Sequence, residues 1–320
     1  MSGRSLRKLL PYILFIVIVL VVGQSYRYYT LKALQSQALL FDRSVSTIIV
    51  GDSHTQTALN PALLANSVNI SISDENYLYS YAKLRMLLQH NKVDTVVLGF
   101  SWHNILRRSE RFVFDRSANA FFLDNYFMLL DPDVIADIAD YNSNFLSAYM
   151  KYVCGIPAQI YSNDLAFKQA LGGRLQRRDF KFIGRYYHSD KSVISSSIVQ
   201  QRIRDLFYSN ENCGKYAGTS PLMLKYLFLI AGLCEKMNVR LVLFNAPVYP
   251  DYKVRIPGEA VQDFESVKKK LFAAYPAIEY LDLSGLPLDP SCYGDGDHVN
   301  ALGAAIVTEH FSRLTNEIRN

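Results

Sequence analysis

The chain is predicted to fold as a three-layer α/β/α sandwich around a parallel sheet of about five strands, and three observations carry that prediction. Short apolar runs recur along the chain with helical patterns between them, the alternation expected of strands joined by crossover helices. The runs are apolar throughout rather than on every second residue, which marks strands covered on both faces. The composition, 50% hydrophobic and 20% charged over 320 residues, is that of an ordinary globular protein with enough chain for a large core.

Taken in order, the first strand is Thr47–Val50 and a second, shorter one covers Val68–Ile72. A helix is expected over Glu75–His90, where Leu78, Tyr81, Leu84, Met86, Leu87 and Leu88 form a broad apolar face. The third strand, Thr95–Phe100, is continuously apolar after its first residue. A helix over Pro221–Met237 leads into the strand Arg240–Phe244. A helix over Gly258–Ala274 leads into Ile278–Leu283, and the last helix spans Ala301–Ile318. Crossovers of this kind make the strands parallel.

Between Phe100 and about Ser220 the alternation breaks, and residues 105–218 read as a mostly helical insertion. It holds helical patterns at Pro132–Tyr141 and Asn144–Tyr152, and a basic stretch with Arg174, Arg177, Arg178, Lys181 and Arg185. An insertion after the third strand lies over the edge where substrate enters. The basic stretch is read first as a solvated face and second as a surface for an anionic glycan or lipid headgroups.

At the N-terminus Arg4, Arg7 and Lys8 precede an apolar stretch from Leu9 to Gly23, followed by Tyr26, Tyr28 and Tyr29. A spanning helix needs about 20 apolar residues, and tyrosines sit well at the far interface. The segment is therefore read as an uncleaved transmembrane anchor with its basic end in the cytoplasm; the alternative is a cleaved signal peptide, for which Val21-x-Gly23 is a mediocre site. The organisation expected is a cytoplasmic stub (1–8), an anchor (9–29), a stalk (30–44) and one extracytoplasmic domain (45–320). The net charge of +5 is modest and three basic residues precede the anchor, so nucleic acid is not an expected partner. The 22 tyrosines suit contacts with sugars or proteins, although scattered core tyrosines are the plainer reading. Cys154, Cys213, Cys234 and Cys292 form no C-x-x-C pair, so neither zinc nor a redox motif is indicated. Cys292 is close to the C-terminal motif and reads as a buried spectator thiol.

Two segments at opposite ends carry the chemistry. Gly51-Asp52-Ser53-His54 directly follows the first strand, and Asp295-Gly296-Asp297-His298 directly precedes the last helix. A serine hydroxyl is a poor nucleophile until a base takes its proton. His298 is the expected base, and Asp295, three residues earlier, is placed to fix its tautomer. The parallel sheet brings the serine to the same edge, because the C-terminal ends of its strands converge there. Each tripeptide alone has a plain reading as a capped turn, with Asp297 or Asn300 capping the final helix.

Together the two segments resemble the SGNH (GDSL-type) hydrolases and acyltransferases. The resemblance implies a flavodoxin-like α/β/α fold and acyl transfer through Ser53, His298 and Asp295. It also implies an oxyanion hole built from two further landmarks, and the chain departs from both. After the second strand the usual Gly is missing and Ser73 is the nearest backbone donor. After the third strand the family's Gly-x-Asn-Asp reads Gly99-Phe100-Ser101-Trp102, with Asn104 three residues beyond Ser101. Gly99, Ser101 and Asn104 are accordingly assigned to the oxyanion or substrate site, with Trp102 either a sugar-stacking wall or core. His54 and His103 are further candidates for the pocket lining. The same departures look like those of membrane-anchored SGNH-like proteins that act beside membrane-bound O-acyltransferases, such as the D-alanyl-transfer and alginate-acetylation proteins. The implied activity is transfer or hydrolysis of O-acyl groups, acetyl first, on a cell-surface or secreted glycan, with no cofactor and no metal. Two alternatives stay open: a non-catalytic binding or partner module for such an acyltransferase, and an esterase acting on lipids.

Overall fold

The computed structural model describes residues 3–33, 39–114, 121–122, 125–126, 129–141, 181–209 and 214–317. Its centre is a five-stranded parallel sheet with helices on both sides, in the order β2-β1-β3-β6-β7. The strands are β1 (Thr47–Val50), β2 (Ser67–Asn69), β3 (Thr95–Gly99), β6 (Arg240–Asn245) and β7 (Glu279–Asp282); a separate antiparallel pair, β4 (Tyr208–Ser209) and β5 (Lys215–Tyr216), lies between β3 and β6 in sequence. The chain steps from β1 outward to β2, then returns to the other side of β1 to lay down β3, β6 and β7. This reversal opens a crevice at the C-terminal ends of β1 and β3, where doubly wound sheets place their sites.

The apolar runs explain the two layers. Strand residues alternate between faces. Ile48, Val50, Val96, Leu98, Leu241 and Leu243 enter one core; Ile49, Val97, Val242, Phe244 and Leu281 enter the other. On the first face lie α3 (Tyr77–His90), α7 (Pro221–Lys236) and α9 (Gly258–Ala274), with the short α8 (Pro250–Val254) joining the same core through Tyr252. On the second lie α2 (Ser53–Ala58) and α10 (Ala301–Glu317).

Boundaries differ from expectation where a side chain is captured elsewhere. α3 begins at Tyr77, not Glu75, because Asn76 caps it through the Tyr79 N–H while Glu75 turns inward to Lys83 and Tyr126. β2 ends at Asn69, yet the amides of Ile70 and Ile72 still donate to Ile49 and Gly51 across the β1 edge.

The stretch after β3 contains 3₁₀ turns at Trp102–Ile105 and Arg107–Glu110, then α4 (Arg111–Phe114), α5 (Pro132–Tyr141), α6 (Ser196–Phe207) and the β4–β5 pair. Its described residues are thus helical with a short β pair. The expected helical pattern at Asn144–Tyr152, together with Arg174, Arg177, Arg178, Cys154 and Cys213, lies outside the described residues; Lys181 and Arg185 are exposed. Residues 183–194 cross the active edge. Gly184 donates to Ile70, Tyr187 to Gln56 and Val193 to Gly294, and Ser189 accepts from Ala301.

The N-terminal segment forms α1 (Gly3–Ala33) and exposes its apolar side chains, among them Leu10, Phe15 and Val22. Among the described residues no helix is long and apolar enough to cross a membrane.

Candidate active site

Ser53 is the first residue of α2, immediately beyond the turn that ends β1. The turn demands its glycine. Gly51 has φ +147, and a Cβ there would fall 2.6 Å from Thr55 Oγ1 and 3.1 Å from the Gly99 nitrogen. We expect Gly51→Ala to cost about 1–3 kcal/mol, the usual range for a side chain forced into sparse backbone space. A thermal melt unchanged by the substitution would contradict this account. Asp52 caps α2 by accepting the His54 N–H at 3.0 Å, and Thr55 Oγ1 donates back to the Asp52 carbonyl. The other end of α2 is held by buried Asn69, whose amide donates to the carbonyls of Thr55 and Leu59.

The loop before α10 meets this turn. Ser53 Oγ lies 2.8 Å from His298 Nε2, and His298 Nδ1 lies 3.0 Å from both carboxylate oxygens of Asp295. Asp295 Oδ1 also accepts the backbone N–H groups of Asp297 and His298, so the acid is fixed by its own loop. With Nδ1–H donated to Asp295, Nε2 presents its lone pair to the serine proton, the arrangement that activates a hydroxyl nucleophile.

The residues assigned from sequence to the oxyanion hole are placed differently. Asn104 does reach the turn that carries Ser53, but its Nδ2 donates to Asp52 Oδ2 at 2.7 Å and its Oδ1 accepts the Ser101 N–H. Ser101 Oγ donates to Asn245 Oδ1. These two residues buttress Asp52 and β6, and their polar atoms are already engaged. Gly99 is a packing residue: an added Cβ would press on Thr55 Cγ2 at 3.0 Å, and its carbonyl accepts from Tyr77 OH. Trp102 belongs to the core, 7% exposed and 5.8 Å from the Phe264 ring, which excludes it as a sugar-stacking wall. Ser73 is exposed, and its hydroxyl donates to Gln56 Oε1. Cys292 is buried as a free thiol in the 3₁₀ turn Pro290–Cys292.

Beneath the triad is a buried charged array that sequence spacing did not reveal. His103, from the turn after β3, approaches Asp52 Oδ2 at 2.6 Å. Asp297 is fully buried and accepts both Nε and an Nη of Arg202 on α6 at 2.7 Å. His54 lies between the two acids, with Nδ1 3.4 Å from Asp52 Oδ1 and Nε2 3.4 Å from Asp297 Oδ2. Its ring stacks on His298 at 4.7 Å and tilts against His103 at 4.3 Å. Nδ1 has no aligned hydrogen bond, so its tie to Asp52 is coulombic.

Burial opposes charge on His54, but the fields of Asp52 and Asp297 outweigh it and push its pKa up to about 10. Burial alone would raise both acids; His54 and His103 hold Asp52 well below the usual carboxylate range, and His298, His54 and Arg202 do the same for Asp297. His103 is pushed down, first by burial and then by the His54 charge. It is therefore neutral and donates Nε2–H to Asp52. The raised His54 value means that the folded state keeps a proton the unfolded chain releases above about 6.5. Its stabilising contribution is complete below that pH and is lost as pH rises through about 10. Asp52 and Asp297, held below the ordinary carboxylate value of 3.8, stabilise the fold above that pH, and their contribution is lost as pH falls through the folded values. Thermal melts should therefore fall from pH 7 to 10 in the native chain and fall less in His54→Gln; parallel curves would refute the assignment.

Two sets of donor atoms lie within 4.8 Å of one another, Asp52/His54/His103 and His54/Asp297/His298. The first is not visible in the sequence spacing, because His103 arrives from another strand. Neither set suits an ion as it stands. Tetrahedral ligands at about 2.0–2.1 Å from zinc sit roughly 3.3 Å apart, whereas His103 and Asp52 bond directly at 2.6 Å. In the second set His298 already serves Ser53 and Asp295.

No family model and no curated protein matches this chain. A solved structure described as "a putative platelet activating factor from Streptococcus pneumonia" aligns with 98% of this chain and 99% of its own, at 11% identity and a TM-score of 0.42. A likeness that distant carries no argument about activity.

Proposed function

We propose that this chain is an SGNH-type serine acyltransferase or esterase acting on O-acyl groups, acetyl first, of a cell-surface or secreted glycan. The observation that carries the proposal is the single hydrogen-bonded line Ser53–His298–Asp295, assembled from segments 245 residues apart in sequence. Ser53 Oγ attacks the ester carbonyl as His298 Nε2 takes its proton. The negative charge on the tetrahedral oxygen is met by backbone N–H groups at the start of α2 and near Ser73. His298 then returns the proton to the departing alcohol, and Asp295 holds the imidazolium throughout. A sugar hydroxyl or water ends the cycle by attacking the acyl-serine. Ser101 and Asn104 support this site from below rather than as oxyanion donors.

The setting we propose is a membrane-anchored, extracytoplasmic protein. The exposed apolar side chains of α1 support it, since such a stripe needs a nonaqueous cover. Arg4, Arg7 and Lys8 put the N-terminus on the cytoplasmic side. A multi-spanning O-acyltransferase is the partner that fits this arrangement.

A second reading is a non-catalytic glycan-binding or partner module. It is favoured by one observation, the commitment of the Asn104 amide to Asp52. The test is a fluorophosphonate probe applied to the full-length protein in detergent, with adducts located by mass spectrometry. An adduct on Ser53, absent in Ser53→Ala and His298→Ala, is the expected result. A folded native chain that forms no adduct would leave the binding module as the better reading.

A further inference from the structure

The triad explains Ser53, His298 and Asp295, but not why a histidine should follow the nucleophile and be walled in beneath the base. We infer that His54 is a positioning residue: its ring spans Asp52 on the nucleophile turn and Asp297 on the Asp–His loop and holds the two loops together beneath the Ser53–His298 hydrogen bond. This rests on the serine acyl-transfer reading and assigns a further role within the same site.

The geometry supplies the argument. The turn carrying Ser53 and the loop carrying His298 come from opposite ends of the chain. Each also carries a buried acid, Asp52 at 6% exposure and Asp297 at 0%. Two buried carboxylates at one site would repel each other unless a cation stood between them. His54 is that cation, 3.4 Å from each. On the far side Arg202 neutralises Asp297 with two hydrogen bonds. With Asp52 and Asp297 anionic and His54 and Arg202 cationic, the buried array is balanced. His54 thus locks the two catalytic loops together at the level of the Ser53–His298 hydrogen bond.

The stack adds a second effect. The His54 ring lies nearly parallel to His298, 4.7 Å away and inclined by 28°. A positive ring there opposes a second positive charge on His298. Asp295, and more distantly Asp297 at 3.5 Å from Nδ1, pull the other way. Among the described residues the groups around His54 are Asp52 from its own turn, neutral His103 from the turn after β3, and Asp297 and His298 from the loop before α10; the Asn104 amide meets Asp52 rather than His54. Arg202 of α6 stands behind Asp297, and Tyr77 of α3 faces Asp52. Among these, His54 is the group whose charge separates the two acids and touches the base.

The experiment uses full-length protein in detergent, as native chain, His54→Phe and His54→Gln. Phe keeps a flat ring under His298 without charge; Gln keeps polar contacts without ring or charge. Two readouts are taken: long-range ¹⁵N–¹H NMR titration of the imidazoles, and the pH profile of fluorophosphonate labelling at Ser53. In the native chain the His54 ring should carry both protons at pH 8. In the native chain labelling should fall as pH rises through about 10, where His54 releases its proton. In either variant labelling should be lower by about tenfold at pH 8 and should lack that alkaline limb, the scale expected for loss of a unit charge at this separation. A neutral His54 ring at pH 8 overturns the inference. So does an alkaline limb unchanged in the variants with labelling lowered equally at all pH, which is the signature of a merely structural residue. Should both variants fail to fold, the native His54 protonation state decides. A native chain that forms no adduct, with His54 carrying both protons at pH 8, would remove the acyl-transfer reading and keep the positioning role.

Discussion

Ser53→Ala is expected to abolish covalent labelling and to cut ester turnover on the order of 10⁴–10⁶-fold, and His298→Ala to fall in the same range. The double variant should be no worse than either single one, because a nucleophile and its base act as one unit. The 2.8 Å contact between Ser53 Oγ and His298 Nε2 makes them that unit. Asp295→Asn should cost less, about 10²–10⁴-fold, since an amide can accept at Nδ1 but cannot stabilise the imidazolium. Asp297 is 3.5 Å from the same nitrogen, yet it is saturated by Arg202. Asp297→Asn should therefore show itself mainly as lost stability. Steady-state hydrolysis of a chromogenic acetate by the five variants, beside their melting curves, separates these roles. Equal turnover losses in Asp295→Asn and Asp297→Asn would mean that both acids orient the base.

Lys83→Met should be the most destabilising substitution away from the site. Lys83 is fully buried on α3, and its ammonium donates to Glu75 Oε2 at 2.6 Å and to the Ile70 carbonyl at 2.7 Å. Glu75 also accepts from Ser80 Oγ and Tyr126 OH. Burial pushes the Glu75 carboxyl up and the Lys83 ammonium down, against the mutual attraction that holds them charged. Removing Lys83 leaves a buried carboxylate without its cation, a loss of about 3–5 kcal/mol. Replacing both, as Lys83→Met with Glu75→Leu, should recover much of it. Denaturant titrations of the three proteins check this; a single variant within 1 kcal/mol of native, on the order of RT, would show that the pair is not needed. The pair also ties Ile70, at the end of β2, to Tyr126 of the insertion, so the single variant should loosen the Ser71–Ser73 loop beside the site.

That Ser53, His298 and Asp295 meet was legible in the sequence because their geometry is nearly local. Asp295 and His298 share one short loop, so their mutual geometry needs no long-range packing. Ser53 needs only a strand end, and the apolar run before it announces one. The sheet was legible for a related reason: strands covered on both faces must be apolar at consecutive positions, as Val96, Val97 and Leu98 are. Helix ends were less so. Glu75 suits a first helical turn, but the choice between capping α3 and meeting Lys83 is made by what else is buried there.

The positions around the third strand show where sequence reading stops. Asn104 looked like an oxyanion donor, and Trp102 could be read as wall or core. Spacing cannot tell that Asn104 and His103 converge on Asp52, some 50 residues away, or that Arg202 closes on Asp297 from 95 residues away. The sequence by itself determined the layered α/β class, the parallel strands and the three candidates Ser53, His298 and Asp295, because each follows from local pattern or short-range geometry. Only the tertiary structure decided which polar side chains are free to meet a substrate and which are held in the array beneath it. A polar group takes whichever partner burial brings within about 3 Å, and that distance is set by how the sheet and its loops close together.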